Sequence, residues 1–232
     1  MIPAKPFYLI RHAESEANAA GIAAGGELDS PLTDRGREQA RSLSHFMTTI
    51  EPAPVRLYHS PMTRVKETAN LVAESLSLEF EEWEDLREHK LGDWNGRDWE
   101  EVLPKLEAKE DPPGGEKEDV FVHRVRNVFS EILEKETDGI PLIVAHGGIF
   151  HALGFMYQYA ITPIQNCHLH FFHPAPENEP FPWVVWQYDL QSDGVFRKSA
   201  PFCPKSDDPM IDRKTAFDQI IEANRNRRKN AG

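Results

Sequence analysis

Short apolar runs alternate along the chain with stretches in which apolar residues recur at helical spacing. The runs are of the length typical of buried strands, and they cover residues 7–10, 55–58, 141–145, 168–172 and 184–188. Helical spacing follows Thr33, a good N-cap for a helix to about Met47, and returns after Thr63, around Phe121 and after Gly147. Strands that alternate with helices predict an α/β fold, a three-layer α/β/α sandwich with a mostly parallel central sheet.

Two segments depart from this alternation. Residues from about 79 to 120 are acidic, contain three tryptophans and are broken by Pro112-Pro113-Gly114-Gly115. We interpret them as a partly helical, lid-like insertion over the active site, within a single domain that spans residues 1–232. Residues from about 205 to 232 are predicted to form a C-terminal helix, from Thr215 to Lys229, with a basic tail.

The charge balance narrows the classes of partner. The chain has 26 basic and 38 acidic residues, a net charge of −12, which argues against general binding to nucleic acid or to an anionic membrane. No apolar run is long enough to span a bilayer, and no secretory signal is visible, so we expect a cytoplasmic protein. Cys167 and Cys203 are expected to be free thiols in a reducing compartment, with one bridge between them as the less favoured alternative.

Polar residues follow three of the predicted strands at the point where each strand ends. They are Arg11-His12, the turn from Ser60 to Arg64, and His146-Gly147. An open α/β sheet binds its ligands at the carboxyl ends of its strands, and arginines there suit a small anionic group. Each of these segments alone is more typical of a structural role.

Taken together, the segments resemble the histidine phosphatase (phosphoglycerate mutase-like) superfamily in its phosphatase branch. The resemblance covers roughly residues 7–190, and its ordered blocks are Phe7 to Asn18, Asp29 to Ala40, Ser60 to Ala69, Leu86 to Gly96 and Val144 to Gly148. One departure is plain, because the family's usual Arg-His-Gly is Arg11-His12-Ala13 in this chain. Alanine keeps the position small, so we expect activity to survive.

The resemblance implies a phosphomonoester hydrolase that needs no metal and no cofactor and acts on a small phosphorylated substrate. It implies that His12 is the nucleophile, forming a phosphohistidine, and that Glu88 is the general acid and base. The residues that match the phosphate-binding set are Arg11, Asn18, Arg64, His146 and Gly147. For Glu88, the surrounding Leu-x-Glu-x-x-x-Gly-x-Trp-x-Gly frame outweighs its location in an acidic, surface-like stretch.

Several other interpretations stay open at this stage. A phosphoglycerate mutase is one, although mutases have a Glu-Arg-His-Tyr-Gly block where this chain has Glu88 followed by His89-Lys90-Leu91-Gly92. A catalytically silent protein that holds phosphorylated ligands and a phosphoprotein phosphatase are two more. His168, His170 and His173 could suggest a metal site, but without an acidic cluster they are predicted to be core or pocket-lining residues.

Overall fold

The computed structural model describes residues 1–157, 164–178, 180–191 and 193–202. Within them, a seven-stranded sheet has the order β3-β2-β4-β1-β5-β6-β7. The strands are β1 (Phe7–Arg11), β2 (Pro54–His59), β3 (Glu79–Glu82), β4 (Ile140–Ala145), β5 (Leu169–Pro174), β6 (Trp183–Leu190) and β7 (Phe196–Phe202). The first strand of the chain is therefore near the middle of the sheet.

The directions of the strands divide the sheet into two halves. β3, β2, β4 and β1 pair in parallel, whereas β5, β6 and β7 join β1 through three antiparallel pairings. The predicted α/β class is confirmed, and the expectation of a mostly parallel sheet needs one correction, since it holds for one half. Residues 175–182 and 191–195, which link β5 to β6 and β6 to β7, are too few to contain a crossover helix, so these strands pair antiparallel.

Helices cover both faces of the sheet, which gives the predicted three layers. Their bounds are α1 (Glu16–Ala20), α2 (Asp34–Met47), α3 (Thr63–Val72), α4 (Trp99–Glu107), α5 (Glu118–Lys135) and α6 (Gly147–Met156). Alternate residues of β1 point to opposite sides: Tyr8 packs in the cluster with α2 and α3, and Phe7 packs in the cluster with α5 and α6. Thr33 caps α2 as predicted, accepting a hydrogen bond from the Gly36 N–H.

The insertion is smaller than its sequence suggests. Its first residues, Glu79–Glu82, form an edge strand of the main sheet, so the insertion proper begins after β3. Beyond that strand the chain forms two short 3₁₀ turns and α4. Trp94 is buried there with Leu91 and Val102 of the insertion and with Ala23 of the loop after α1, so it packs the insertion against that loop.

The predicted C-terminal helix, Thr215 to Lys229, lies outside the described residues, as does Cys203. Among the residues that the structure does describe, none of the helices is long and apolar enough to cross a membrane.

Candidate active site

His12 follows β1 directly and is fixed on both sides. Its backbone N–H donates to the carbonyl of Ala145 at 2.9 Å, and its Nδ1 lies 2.8 Å from the carbonyl oxygen of Ala13. A carbonyl can only accept, so Nδ1 carries the proton and Nε2 keeps its lone pair. Burial, followed by the charges of Arg64 and Arg11, holds the pKa of His12 well below its usual value. The ring is therefore neutral at neutral pH, with Nε2 available as a nucleophile.

His146 ends β4 and is the N-cap of α6, where it is fully buried. Its Nδ1 lies 3.3 Å from Nη2 of Arg64, and because a guanidinium can only donate, Nδ1 accepts. Its Nε2–H then donates to Oγ of Ser60 at 2.9 Å. Burial and the nearby Arg64 lower the pKa of His146 well below its usual value. Its ring centroid is 5.3 Å from that of His12, so two neutral imidazoles with assigned tautomers face one site.

Arg64 brings a positive charge into the protein interior. Only 1% of its surface is exposed, and its guanidinium donates to the carbonyls of Leu28 at 3.0 Å and Gly25 at 3.2 Å. Burial lowers its pKa, while the carboxylates of Glu88 and Asp29 oppose that shift. The loop before α2 thus holds Arg64 by its backbone, in the fixed geometry that a planar guanidinium needs to bind an anion.

Arg11 lies at the other side of the same site. Its Nη1 donates to the carbonyl of Ile164 at 2.5 Å. A Cβ placed at Gly147 would lie 3.5 Å from Nε of Arg11, so this guanidinium packs closely against the first residue of α6. The structure therefore brings Arg11, His12, Arg64, His146 and Gly147 together, as the sequence predicts.

Glu88 joins them from the insertion. Its Oε1 accepts the N–H of His89 at 2.9 Å, and its Oε2 accepts the N–H of Gly148 at 3.1 Å. A Cβ at position 148 would overlap Oε1, so a larger residue there would displace this carboxyl group. The carboxyl group is thus placed at the N-terminus of α6, beside His146.

Asn18, in α1, completes the predicted set. Its Oδ1 accepts the N–H of Ser15 at 3.3 Å in a capping box, and it also accepts Nδ2 of Asn166 at 2.9 Å. Asn166 donates from the same nitrogen to the backbone carbonyl of His12 at 3.1 Å.

Three residues in contact with this set had no predicted role. They are Ser60, which binds His146, Asn166, and Thr68, whose Oγ1 accepts the N–H of Ala13 at 3.0 Å and donates to the carbonyl of Arg64 at 2.7 Å. Ser60 and Thr68 lie within the motif block from Ser60 to Ala69, so the sequence alone could have identified them as candidate site residues. Asn166 follows no motif and no strand end, and only the fold brings it to the site.

The alanine at position 13 fits without strain. Ala13 is fully buried and does not adopt a left-handed backbone conformation, which is where glycine would be needed.

His168, which precedes β5, and His170, within it, pack and hydrogen-bond with neighbouring side chains. His168 contacts Asp189 at 3.2 Å and Gln187 at 2.9 Å, and burial lowers its pKa to about 4. His170 packs its ring against Phe150, whereas His173 is exposed. No group of three potential metal ligands occurs within the described ranges. Cys167 is a buried free thiol whose pKa burial raises to about 12.

Comparison with known protein families identifies the family of this chain. Residues 7–170 match the model of the histidine phosphatase superfamily (branch 1), and the chain belongs to that superfamily. The predicted family and its phosphatase class of enzyme are thus confirmed.

Relatives with named activities include several phosphatases. The chain is 31% identical over 157 residues to a metal-independent phosphoserine phosphatase of Arabidopsis thaliana, covering 62% of this chain and 65% of the relative. It is 30% identical over 165 residues to the adenosylcobalamin/alpha-ribazole phosphatase of Salmonella typhimurium, covering 63% and 76%. A 6-phosphofructo-2-kinase/fructose-2,6-bisphosphatase of Caenorhabditis elegans is 27% identical over 219 residues, but the chain spans only 46% of its length.

The fold has solved counterparts. A mycobacterial glucosyl-3-phosphoglycerate phosphatase superposes with a TM-score of 0.64 at 24% identity, covering 78% of this chain and 96% of that one. At that identity the likeness shows the shared fold.

Proposed function

We propose that the protein hydrolyses phosphate monoesters through a phosphohistidine formed on Nε2 of His12. The observation that supports this most is the state of His12: a neutral, buried imidazole, oriented by a backbone carbonyl, between two arginines. A nucleophile of this kind attacks without first losing a proton.

The first step transfers the phosphoryl group to the enzyme. Nε2 of His12 forms a bond to phosphorus while the bond from phosphorus to the ester oxygen breaks. Arg11 and Arg64 stabilise the charge on the non-bridging oxygens, because phosphoryl transfer depends mainly on positioning and electrostatics. Asn18 and the backbone N–H of Gly147 provide further donors, and His146 joins them when its Nε2–H donates to a phosphoryl oxygen in place of Ser60. Glu88, in its protonated form, gives its proton to the leaving oxygen.

The second step returns the enzyme to its starting state. Glu88, now a carboxylate, takes a proton from a water molecule whose oxygen attacks phosphorus. The nitrogen–phosphorus bond breaks, inorganic phosphate leaves, and the electron pair returns to Nε2 of His12. One carboxyl group thus serves as acid and then as base, which requires that it lie beside the leaving oxygen in the first step and beside the attacking water in the second.

The substrate we propose is a small phosphorylated molecule, and the compartment is the cytoplasm. The related phosphatases named above act on such compounds, and the net charge of −12 disfavours nucleic acid as a partner. A panel of sugar phosphates, phosphoglycerates, nucleotides, phosphoserine and a phosphopeptide, assayed for phosphate release, identifies the class. A mutase would instead move the phosphoryl group to an acceptor without releasing phosphate.

The mechanism is tested by trapping the intermediate. Rapid quenching with ³²P-labelled para-nitrophenyl phosphate should label His12 alone, in an acid-labile and alkali-stable form. His12→Ala should abolish the label and lower turnover by about 10⁴-fold or more, as expected for loss of a nucleophile. The exposed His173→Asn variant is the control and should keep wild-type turnover. A label on Ser15, or full activity in His12→Ala, would contradict the proposal.

A further inference from the structure

The loop that precedes β5 contacts three of the proposed site residues. The carbonyl of Ile164 accepts from the guanidinium of Arg11, and the N–H of Cys167 donates to the carbonyls of Arg11 at 3.0 Å and His12 at 3.2 Å. The side chain of Asn166 contacts the third residue, Asn18, and also the carbonyl of His12. This loop belongs to the antiparallel half of the sheet, and none of its residues is in the predicted catalytic or binding set.

Asn166 uses both hydrogens of its amide nitrogen. Nδ2 donates to the backbone carbonyl of His12 at 3.1 Å and to Oδ1 of Asn18 at 2.9 Å. An amide nitrogen has two hydrogens and no acceptor site, so this atom ties the nucleophile's backbone to a proposed phosphate ligand.

The contact fixes which way the Asn18 amide points. Oδ1 of Asn18 receives two donors, the N–H of Ser15 and Nδ2 of Asn166. A flipped amide would place its NH₂ against both of these donors, which leaves them unpaired. The nitrogen of Asn18 therefore faces the opposite side, and it makes no hydrogen bond to another residue of the described part of the chain.

We infer that Asn166 is a positioning residue for phosphoryl binding. Asn166 holds Asn18 in the orientation in which the Asn18 amide donates to a phosphoryl oxygen. Its second hydrogen bond holds the backbone carbonyl of His12 in a fixed position relative to Asn18. This inference rests on the proposed function, because it assigns Asn18 a phosphoryl oxygen to bind. Asn166 itself acts through Asn18 and His12.

The test replaces the donor by an acceptor of the same shape. Asn166→Asp keeps the size of the side chain but places an oxygen against Oδ1 of Asn18, which favours the flipped amide. With para-nitrophenyl phosphate, kcat/KM should fall by about tenfold to a hundredfold, the range for groups that orient a direct ligand. Gln165→Ala, at the exposed neighbouring residue, is the matched control and should stay within about twofold of wild type.

Two readouts separate positioning from a loss of structure. When the pH is lowered, the introduced carboxyl gains a proton and can again donate to Asn18, so the ratio of variant to wild-type kcat/KM should rise. Asn166→Ala, which has no such group, should lose activity without this rise. In a double-mutant cycle, adding Asn166→Asp to the Asn18→Ala variant should lower kcat/KM by less than about a further threefold.

The outcomes distinguish this inference from the proposed function. If wild type hydrolyses the ester and a folded Asn166→Asp matches it, or if the two substitutions multiply, the inference is wrong. If Asn166→Asp does not fold, Asn166→Ala decides by the same cycle. If wild type releases no phosphate, the proposed function is wrong, and the affinity for inorganic phosphate, measured by calorimetry over the same cycle, still confirms or refutes the role of Asn166.

Discussion

The two halves of the sheet differ in what they contribute to the protein. In the parallel half, β1, β2 and β4 end at the same edge, so Arg11, Ser60 and His146 meet there and each strand is followed by a helix start or a tight loop. In the antiparallel half, successive strands end at opposite edges, and the loop of residues 164–168 reaches the site from it. Reactive groups therefore concentrate where strand directions agree.

The antiparallel half contributes packing. Phe7 of β1 stacks on Phe172 at 4.3 Å and meets Trp183 edge-on at 5.8 Å. The indole N–H of Trp183 donates to the carbonyl of Lys5 at 2.9 Å, so this large side chain is buried without an unsatisfied donor. The comparison teaches that substitutions at the strand ends of the parallel half should alter turnover, whereas substitutions of packed residues within the strands of the antiparallel half should alter stability first.

After the loss of the nucleophile itself, the largest effect should come from the buried cation of the parallel half, Arg64. Arg64→Ala should lower kcat/KM on para-nitrophenyl phosphate by about 10² to 10³-fold, because a fixed charge stabiliser is lost. Arg197→Ala, at an exposed arginine of β7, should change it by less than twofold. A rise in KM with unchanged kcat in Arg64→Ala would show that this arginine binds only the ground state.

The second effect depends on the leaving group. Glu88→Gln cannot protonate an alkoxide, so hydrolysis of a sugar phosphate should slow by about a hundredfold or more, whereas para-nitrophenyl phosphate should lose less than about tenfold. Asp85→Asn, at a nearby exposed carboxylate, should affect neither substrate. Equal losses on both substrates in Glu88→Gln would assign Glu88 a positioning role, and Glu14 or an acid of residues 81–85 would become the candidate.

The third effect sharpens the contrast in stability. Burial, followed by the neighbouring His168, lowers the pKa of His170 in β5 to about 3, so below its ordinary value of 6.5 the unfolded chain takes up a proton that the folded chain does not. The neutral His170 therefore costs no stability above pH 6.5, and the free energy of unfolding falls as the pH drops from 6.5 towards 3. At pH 5, His170 alone should lower the free energy of unfolding by about 2 kcal/mol.

Urea unfolding at a series of pH values measures this loss. His170→Gln should flatten the decline between pH 6.5 and 5, and the exposed His173→Asn should keep the wild-type slope. An unchanged slope in His170→Gln would show that other histidines, such as His12 and His146, cause the acid sensitivity.

The smallest expected effect is that of a chelator. Since histidine provides the nucleophile and Arg11 and Arg64 provide the positive charge, EDTA should leave hydrolysis unchanged. A strict requirement for Mg²⁺ after chelation would contradict the mechanism.

The sequence predicts the parallel half better than the antiparallel half for a physical reason. Short apolar runs followed by helix signals specify β1, β2 and β4 and place Arg11, His12 and His146 at one edge. The direction of β5 to β7 depends on connections that leave no periodic signal. Glu79–Glu82 has the composition of an exposed segment because an edge strand is solvated. Asn166 reaches Asn18, 148 residues away in the chain, only through tertiary packing.

The position of β1 has a consequence for how the protein comes apart. β1 is hydrogen-bonded to β4 on one edge and to β5 on the other, and the backbone of His12 continues that bonding. Its amides are thus protected from exchange with solvent unless the two halves separate, which is equivalent to global unfolding. Fraying of the insertion or of the edge strands leaves the nucleophile in place. Heat and denaturant should therefore remove the fold and the reactive imidazole in one cooperative step.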